Sequence, residues 1–141
     1  MLSKMNSYNL YDIFFIDENT GWIVGGASNG GEVYKTVDGG LTWESILVTV
    51  TDALQEVHFA NANTGWAIGD DGAVFYTTDG GANWVEQDAY FRDLSGIFFI
   101  DENTGWAVGD NGVVTRTNDA GANWSSNTTI SYFLYDVHFA D

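Results

Sequence analysis

Short runs of large apolar residues recur along the chain, each bounded by glycine, aspartate or asparagine, at nearly constant spacing. Leu10, Leu54, Leu94 and Leu134 open equivalent segments 44, 40 and 40 residues apart. The run IFFI follows the first and third leucine, and VHFA follows the second and fourth. Trp22, Trp66 and Trp106 each lie 12 residues beyond their leucine, and Trp43, Trp84 and Trp124 close the units. Thr64–Trp84 and Thr104–Trp124 are identical at 14 of 21 positions, which makes an internal repeat the dominant signal. The first unit is longer mainly through the connection ASNGG at Ala27–Gly31.

Within the second unit the pattern predicts four short strands, Leu54–Ala60, Gly65–Gly69, Ala73–Thr77 and Asn83–Gln87, joined by an Asn/Thr turn, a DDG turn and a TDGG turn. Helical periodicity is absent, so the units read as antiparallel meanders in an all-β chain. One four-stranded sheet of about 40 residues cannot cover both of its own faces. Radial stacking of such sheets does, and that architecture is a β-propeller or partial propeller. The chain divides as a single repeat domain over 1–141: blade 1 at about 8–50, blade 2 at about 51–90, blade 3 at about 91–131, and an extra first strand of a fourth blade at 132–141.

The two ends carry the same text. Tyr8–Asp17 reads YNLYDIFFID and Tyr132–Asp141 reads YFLYDVHFAD. With IFFIDENTGW shared by the first and third units, this is the pattern of a duplicated two-blade module. Three blades are too few to close a ring, and an open arc leaves two apolar faces and a strand edge uncovered. The chain is therefore expected either to assemble from several copies or to be a segment of a longer propeller. Within one chain the last segment has little reason to order, because the other three strands of its blade are missing. In another copy it could add to a blade edge, with Phe133, Tyr135, Val137 and Phe139 on one face and Leu134, Asp136 and His138 on the other. Tyr132, Phe133, Tyr135, Val137 and Phe139 are thus the candidate interface of a homo-oligomer, most simply a dimer.

Composition narrows the function classes. Apolar residues make up 45% and aromatic residues 16%, which suits a packed core, and 17 glycines with no proline suit many tight turns. Four Lys+Arg against 20 Asp+Glu give a net charge of −16, which disfavours nucleic acid and anionic membrane surfaces as partners. With no cysteine there is no disulfide framework or thiolate metal site. No apolar run is long enough to insert in a membrane, and MLSKMNSYNLYD lacks the apolar core of a secretory signal peptide.

Thr36, Asp38, Gly40 and Trp43 are spaced as in an Asp-box, Ser/Thr-x-Asp-x-Gly-x-x-Trp. Thr77, Asp79, Gly81 and Trp84, and then Thr117, Asp119, Gly121 and Trp124, repeat it. With the preceding TGWxVG segment, the unit resembles the bacterial-neuraminidase-type (BNR) repeats of the photosystem II assembly and stability factor family, and those of sortilin-type receptors and large secreted bacterial proteins. The resemblance covers Leu10–Asp141. It implies a propeller scaffold and an extracytoplasmic or secreted setting. It implies no one activity, because sites vary on this fold.

In such a box the carboxylate accepts hydrogen bonds from turn amides and staples the hairpin between the third and fourth strands. Presence in every unit argues for scaffold over site. Asp17–Gly21 and Asp101–Gly105 lack the ligand spacing of a calcium loop and read as turns. His58 and His138 stand where the other units have Phe14 and Phe98, a packing position more than a metal ligand. The sequons at Asn123 and Asn127 would matter only in a glycosylating pathway. Sialidases share Asp-boxes but grip their substrate with an arginine triad, and this chain has only Arg92 and Arg116. The same shortage speaks against the basic recognition patch associated with the photosystem factors. No nucleophile–base pair, phosphate loop or zinc-spaced histidine pair is present. The expected function is a non-enzymatic scaffold for protein binding and self-assembly, with no cofactor and no metal. The alternatives are a carbohydrate or small-ligand site on a propeller face, and a glycosidase with a composite site between chains.

Overall fold

The computed structural model describes residues 9–27, 29–48, 50, 52–70, 73–87, 94–127 and 132–140. Arg92, two residues of the DDG turn (71–72), sequon residues 128–129 and both outermost residues of the matching ends, Tyr8 and Asp141, lie outside them. Among the described residues twelve strands form three sheets. The first holds β1 (Asn9–Phe15), β2 (Gly21–Ala27), β3 (Gly30–Thr36) and β4 (Glu44–Ile46). The second holds β5 (Leu54–Phe59), β6 (Gly65–Gly69), β7 (Val74–Thr77) and β8 (Val85–Gln87). The third holds β9 (Leu94–Phe99), β10 (Gly105–Gly109), β11 (Val114–Thr117) and β12 (Ser125–Asn127). Each is an antiparallel meander in chain order. The fold is an all-β propeller arc.

The first strands of adjacent blades face one another, β1 against β5 and β5 against β9. The fourth strands lie outermost, and Val85 and Glu86 of β8 are exposed. The hydrophobic core therefore sits between blades. Trp22, Val24 and Val33 of blade 1 pack with Leu54, Val57, Phe59 and Phe75 of blade 2. Trp66, Ile68 and Val74 of blade 2 pack with Leu94, Ile97, Phe99 and Ala107 of blade 3. All five residues of β6 are buried, as expected for a strand covered on both faces.

Two local features recur in every blade. Pairing of the first two strands skips one residue, Tyr11, Gln55 and Ser95 respectively, leaving a β-bulge. The glycine opening the second strand lets a phenyl ring lie flat on the sheet: a Cβ on Gly65 would fall 2.5 Å from the ring of Phe59.

Candidate functional site

The three Asp-boxes close the same hydrogen bonds. Thr77 Oγ1 donates to Asp79 Oδ1 at 2.9 Å and accepts from Gly81 N at 3.0 Å. Asp79 then accepts from Asn83 through its backbone N (2.9 Å) and its Nδ2 (2.8 Å). Asp119 repeats this with Thr117, Gly121 and Asn123, and Asp38 with Thr36, Gly40 and Thr42. The side chain and amide of Thr42, with Thr36, hold the Asp38 carboxyl down at about 2. Both oxygens of each carboxylate are engaged by their own turn. The box tryptophans stand edge-on to the phenylalanine ending the first strand of the same blade: Trp43 on Phe15, Trp84 on Phe59 and Trp124 on Phe99, with ring centroids 6.0 Å apart in each pair.

The turns between first and second strands are also self-contained. Asp17 and Asp101 each accept two amides of their own loop, from Asn19 and Thr20 and from Asn103 and Thr104. Asn61 does the same in blade 2. Among the described residues no cluster of three His, Cys, Asp or Glu could hold a metal ion.

His58 is an inter-strand residue. It lies between Phe14 and Phe98, with ring centroids 4.7 and 4.8 Å away, and its Nε2 is 2.9 Å from the carbonyl of Phe99. Burial pushes its imidazole down to about 4, so it is neutral at physiological pH. His138 continues the ladder, 4.7 Å from Phe98 on the other side.

The last segment corrects the expectation that it would not order within one chain. Tyr132–Ala140 lies along its own third blade, where β5 lies on blade 1 and β9 on blade 2. Leu134 N donates to Gly109 O at 3.2 Å, and Phe139 stacks on Trp106 at 4.2 Å. Gly96 makes this approach possible, since a Cβ there would stand 2.8 Å from Asp136 Cα. The physical reason is that the preceding blade alone offers half of a strand's neighbours. Tyr132, Phe133 and Tyr135 remain 77%, 59% and 75% exposed, and Val137 is half-buried.

Sequence reasoning missed a ring of residues beside the inner strands. Asp12, Glu56, Gly96 and Asp136 occupy the same place in the four first-strand segments. Asp12 Oδ2 accepts from Val57 N of the next blade at 3.0 Å, and Glu56 Oε2 accepts from Ile97 N at 2.9 Å. Each carboxyl clamps one blade to the next. Burial, then the charges of Asp12 and Asp136, push Glu56 up to about 8. Burial likewise raises Asp12. Their matching positions three residues into each repeat were the available signal.

Beside this ring, on the bulge side of the arc, a groove of about 440 Å³ opens between blades 2 and 3. Gln55, Gly69, Asp70, Leu94, Ser95, Asp110 and Tyr135 line it. Gln55 Nε2 donates to Asp70 Oδ1 at 2.7 Å. Among the described residues no lining side chain is cationic, and those that line it present carboxylates, hydroxyls and an amide.

The family described as Photosynthesis system II assembly factor YCF48 matches residues 2–86 and, again, 41–130. The Photosystem II stability/assembly factor HCF136, chloroplastic, of Cyanidioschyzon merolae (strain NIES-3377 / 10D) is 31% identical over 74 residues, 51% of this chain and 16% of that protein. The structure of YCF48 from Cyanidioschyzon merolae aligns with a TM-score of 0.74 at 26% identity, covering 89% of this chain and 41% of its own. A structure of YCF48 bound to D1 peptide gives 0.72 at 28% identity, covering 86% and 40%. An ancestral GH74 enzyme, at 16% identity and a TM-score of 0.71 over 92% of this chain and 20% of its own, shares the fold alone. The chain thus spans less than half the length of the relatives it matches.

Proposed function

The chain belongs to the family of the Photosynthesis system II assembly factor YCF48, and on that premise we propose that it is a non-enzymatic propeller segment that binds an extended protein segment. The groove between blades 2 and 3 carries the reading: it is concave, acidic and held by rigid strands on both sides. That a similar structure holds a peptide supports the ligand class. The lining here favours a cationic or amide-rich peptide, since Asp70 and Asp110 are its charged groups among the described residues.

On this reading the Asp-boxes are staples, because their carboxylates are already engaged by turn amides. The non-enzymatic assignment is supported by the arginines: Arg116 lies over the Trp106 ring at 5.7 Å, away from the groove, and Arg92 is the only other one. The partners are protein segments and further copies of the chain, in an extracytoplasmic compartment.

Fluorescence anisotropy with two labelled ten-residue peptides, one lysine-rich and one glutamate-rich, tests the groove. The lysine-rich peptide should bind, and Asp70→Asn with Asp110→Asn should weaken it about tenfold, a factor near 1.4 kcal/mol. The same loss of charge at exposed, distant Glu44 and Glu86 should leave affinity nearly unchanged. Equal losses in the two double variants would reduce binding to net charge and reject the groove.

A further inference from the structure

The junction between blades 2 and 3 holds two kinds of contact. One kind recurs at the junction before it. Trp66 stacks on Phe99 at 3.4 Å and 4° and donates its Nε1 to Ala120 O at 2.8 Å. Trp22 likewise stacks on Phe59 at 3.6 Å and 7° and donates to Gly80 O at 2.9 Å. Repetition marks these contacts as scaffold. The other kind, around the groove, does not recur.

Asp70 and Asp110 each stand four residues beyond the tryptophan of their blade's second strand, where blade 1 has Gly26. Gln55 is a bulge residue, and the matching bulges carry Tyr11 and Ser95. Of the three blades, only blade 2 therefore sets an amide beside a carboxylate, and only the junction of blades 2 and 3 has a carboxylate on each side.

Both carboxylates sit on fixed backbone. Asp70 N donates to Ala53 O at 3.1 Å, and Asp70 O accepts from Ala73 N at 3.3 Å to close the turn between β6 and β7. Asp110 opens the matching turn between β10 and β11, where its O accepts from Val113 N at 3.3 Å. Asn111 at φ 57° and Gly112 at φ 70° take the left-handed conformation that a two-residue hairpin requires. Gln55 Nε2 donates to Asp70 Oδ1 at 2.7 Å, and because a carboxylate only accepts, this bond fixes which end of the amide faces it. Gln55 Oε1 and Asp70 Oδ2 have no protein partner among the described residues. Together with Asp110 and the Ser95 hydroxyl, they furnish the groove with acceptors from both blades.

We propose that the groove is a pocket for an arginine side chain of the bound segment. A guanidinium carries five N–H donors in a rigid planar fork and can meet acceptors on two sides at once. An ammonium is a compact, strongly hydrated point charge that gains less from such an array. Paired N–H groups suit the Asp70 carboxylate, whose two oxygens keep acceptor capacity beside the site that Gln55 takes. Gln55 is the positioning residue: it restrains the Asp70 carboxylate and adds its own carbonyl as an acceptor. The inference rests on the reading of the groove as a site for an extended protein segment, and it names the side chain that the groove takes.

Fluorescence anisotropy on the full chain tests it with three labelled lysine-rich peptides of one length. They differ at a single central residue: arginine, lysine or citrulline, the neutral isostere of arginine. The arginine peptide should bind about tenfold more tightly than the lysine peptide, and the citrulline peptide more weakly than either. Arginine and lysine carry the same charge, so their ratio cancels the pull of the chain's net charge of −16. Gln55→Leu and Asp70→Asn should each cut the arginine preference to about twofold or less, with urea midpoints reporting whether each variant is folded. Equal affinity of the arginine and lysine peptides for the parent chain would overturn this inference and leave the groove reading standing. Failure of all three peptides to bind would overturn both. An arginine preference unchanged by either substitution would put the side chain elsewhere and also overturn the inference.

Discussion

The junction between blades 2 and 3 and the junction between blade 3 and the final segment are built from the same repeated sequence and share the ladder of His58, Phe98 and His138, yet they differ in their tryptophans and their clamps. At the first, Trp66 is fully buried, stacked flat and hydrogen-bonded, and Glu56 clamps the Ile97 amide. At the second, Trp106 is half-buried and tilted against its partner ring, and Gly96 offers no side chain to clamp with. The same residue type in the same strand position is therefore core in one place and surface in the other. What decides is how much of the ring and its indole the neighbouring segment covers.

The largest contrast is expected from truncating the two tryptophans. Trp66→Ala should cost about 3–5 kcal/mol, the usual loss for a buried aromatic, and leave little folded protein. Trp106→Ala in the monomer should cost about 1 kcal/mol, because only part of its ring leaves water. Urea midpoints at a concentration low enough to keep both monomeric measure the difference, and equal losses would erase the distinction between the junctions.

Next is the clamp. Glu56 is held up to about 8 by burial and by Asp12 and Asp136, against an ordinary value of 4.5. Folding thus favours its protonated form: that stability is complete below about 4.5 and is lost as pH rises through about 8. Glu56→Gln keeps an oxygen for the Ile97 amide without the charge. At pH 9 the variant should be more stable than the parent by roughly 2 kcal/mol, a shift discounted for partial exposure, and at pH 4 no more stable. Urea titrations at the two pH values read this directly, and a difference independent of pH would show that Glu56 ionises freely.

The smallest effect concerns the carbonyl that receives Trp66. Ala120 has φ 60°, where its counterparts Gly39 and Gly80 both have 72°. A side chain in the left-handed region costs about 1 kcal/mol, partly offset by the stiffer unfolded chain. Ala120→Gly should therefore raise stability by about 0.5 kcal/mol, seen as a rise in thermal midpoint of about 1–2 °C. A fall would mean that the methyl packing around Trp66 outweighs the backbone strain.

Much of the architecture was legible because the tryptophans, glycines and Asp-boxes recur at fixed offsets, and because β6 and β7 are bounded by turn residues. Strand limits moved by only a residue or two, Leu54–Phe59 against a predicted Leu54–Ala60. The inner ring was hidden by the bulges. A strict alternation from Leu54 would place Glu56 and His58 on the leucine's face. The skip at Gln55 instead groups Leu54 with Val57 and Phe59, and turns Glu56 and His58 toward neighbouring inner strands. A bulge has no composition of its own, so Tyr11, Gln55 and Ser95 share nothing in the sequence but their place. Nor does a tryptophan's type say which blade its ring enters; that direction depends on packing far along the chain.

Cores that lie between blades impose an order on synthesis. The indole of Trp22 finds its acceptor 58 residues downstream, and that of Trp66 finds its own 54 residues downstream. As the chain leaves a ribosome, each blade emerges with its tryptophan bare until most of the next blade has followed. Every added repeat shelters the tryptophan behind it and exposes a fresh one, so the growing end stays adhesive throughout translation. The final segment, through Phe139, lies on Trp106 and leaves it half-buried.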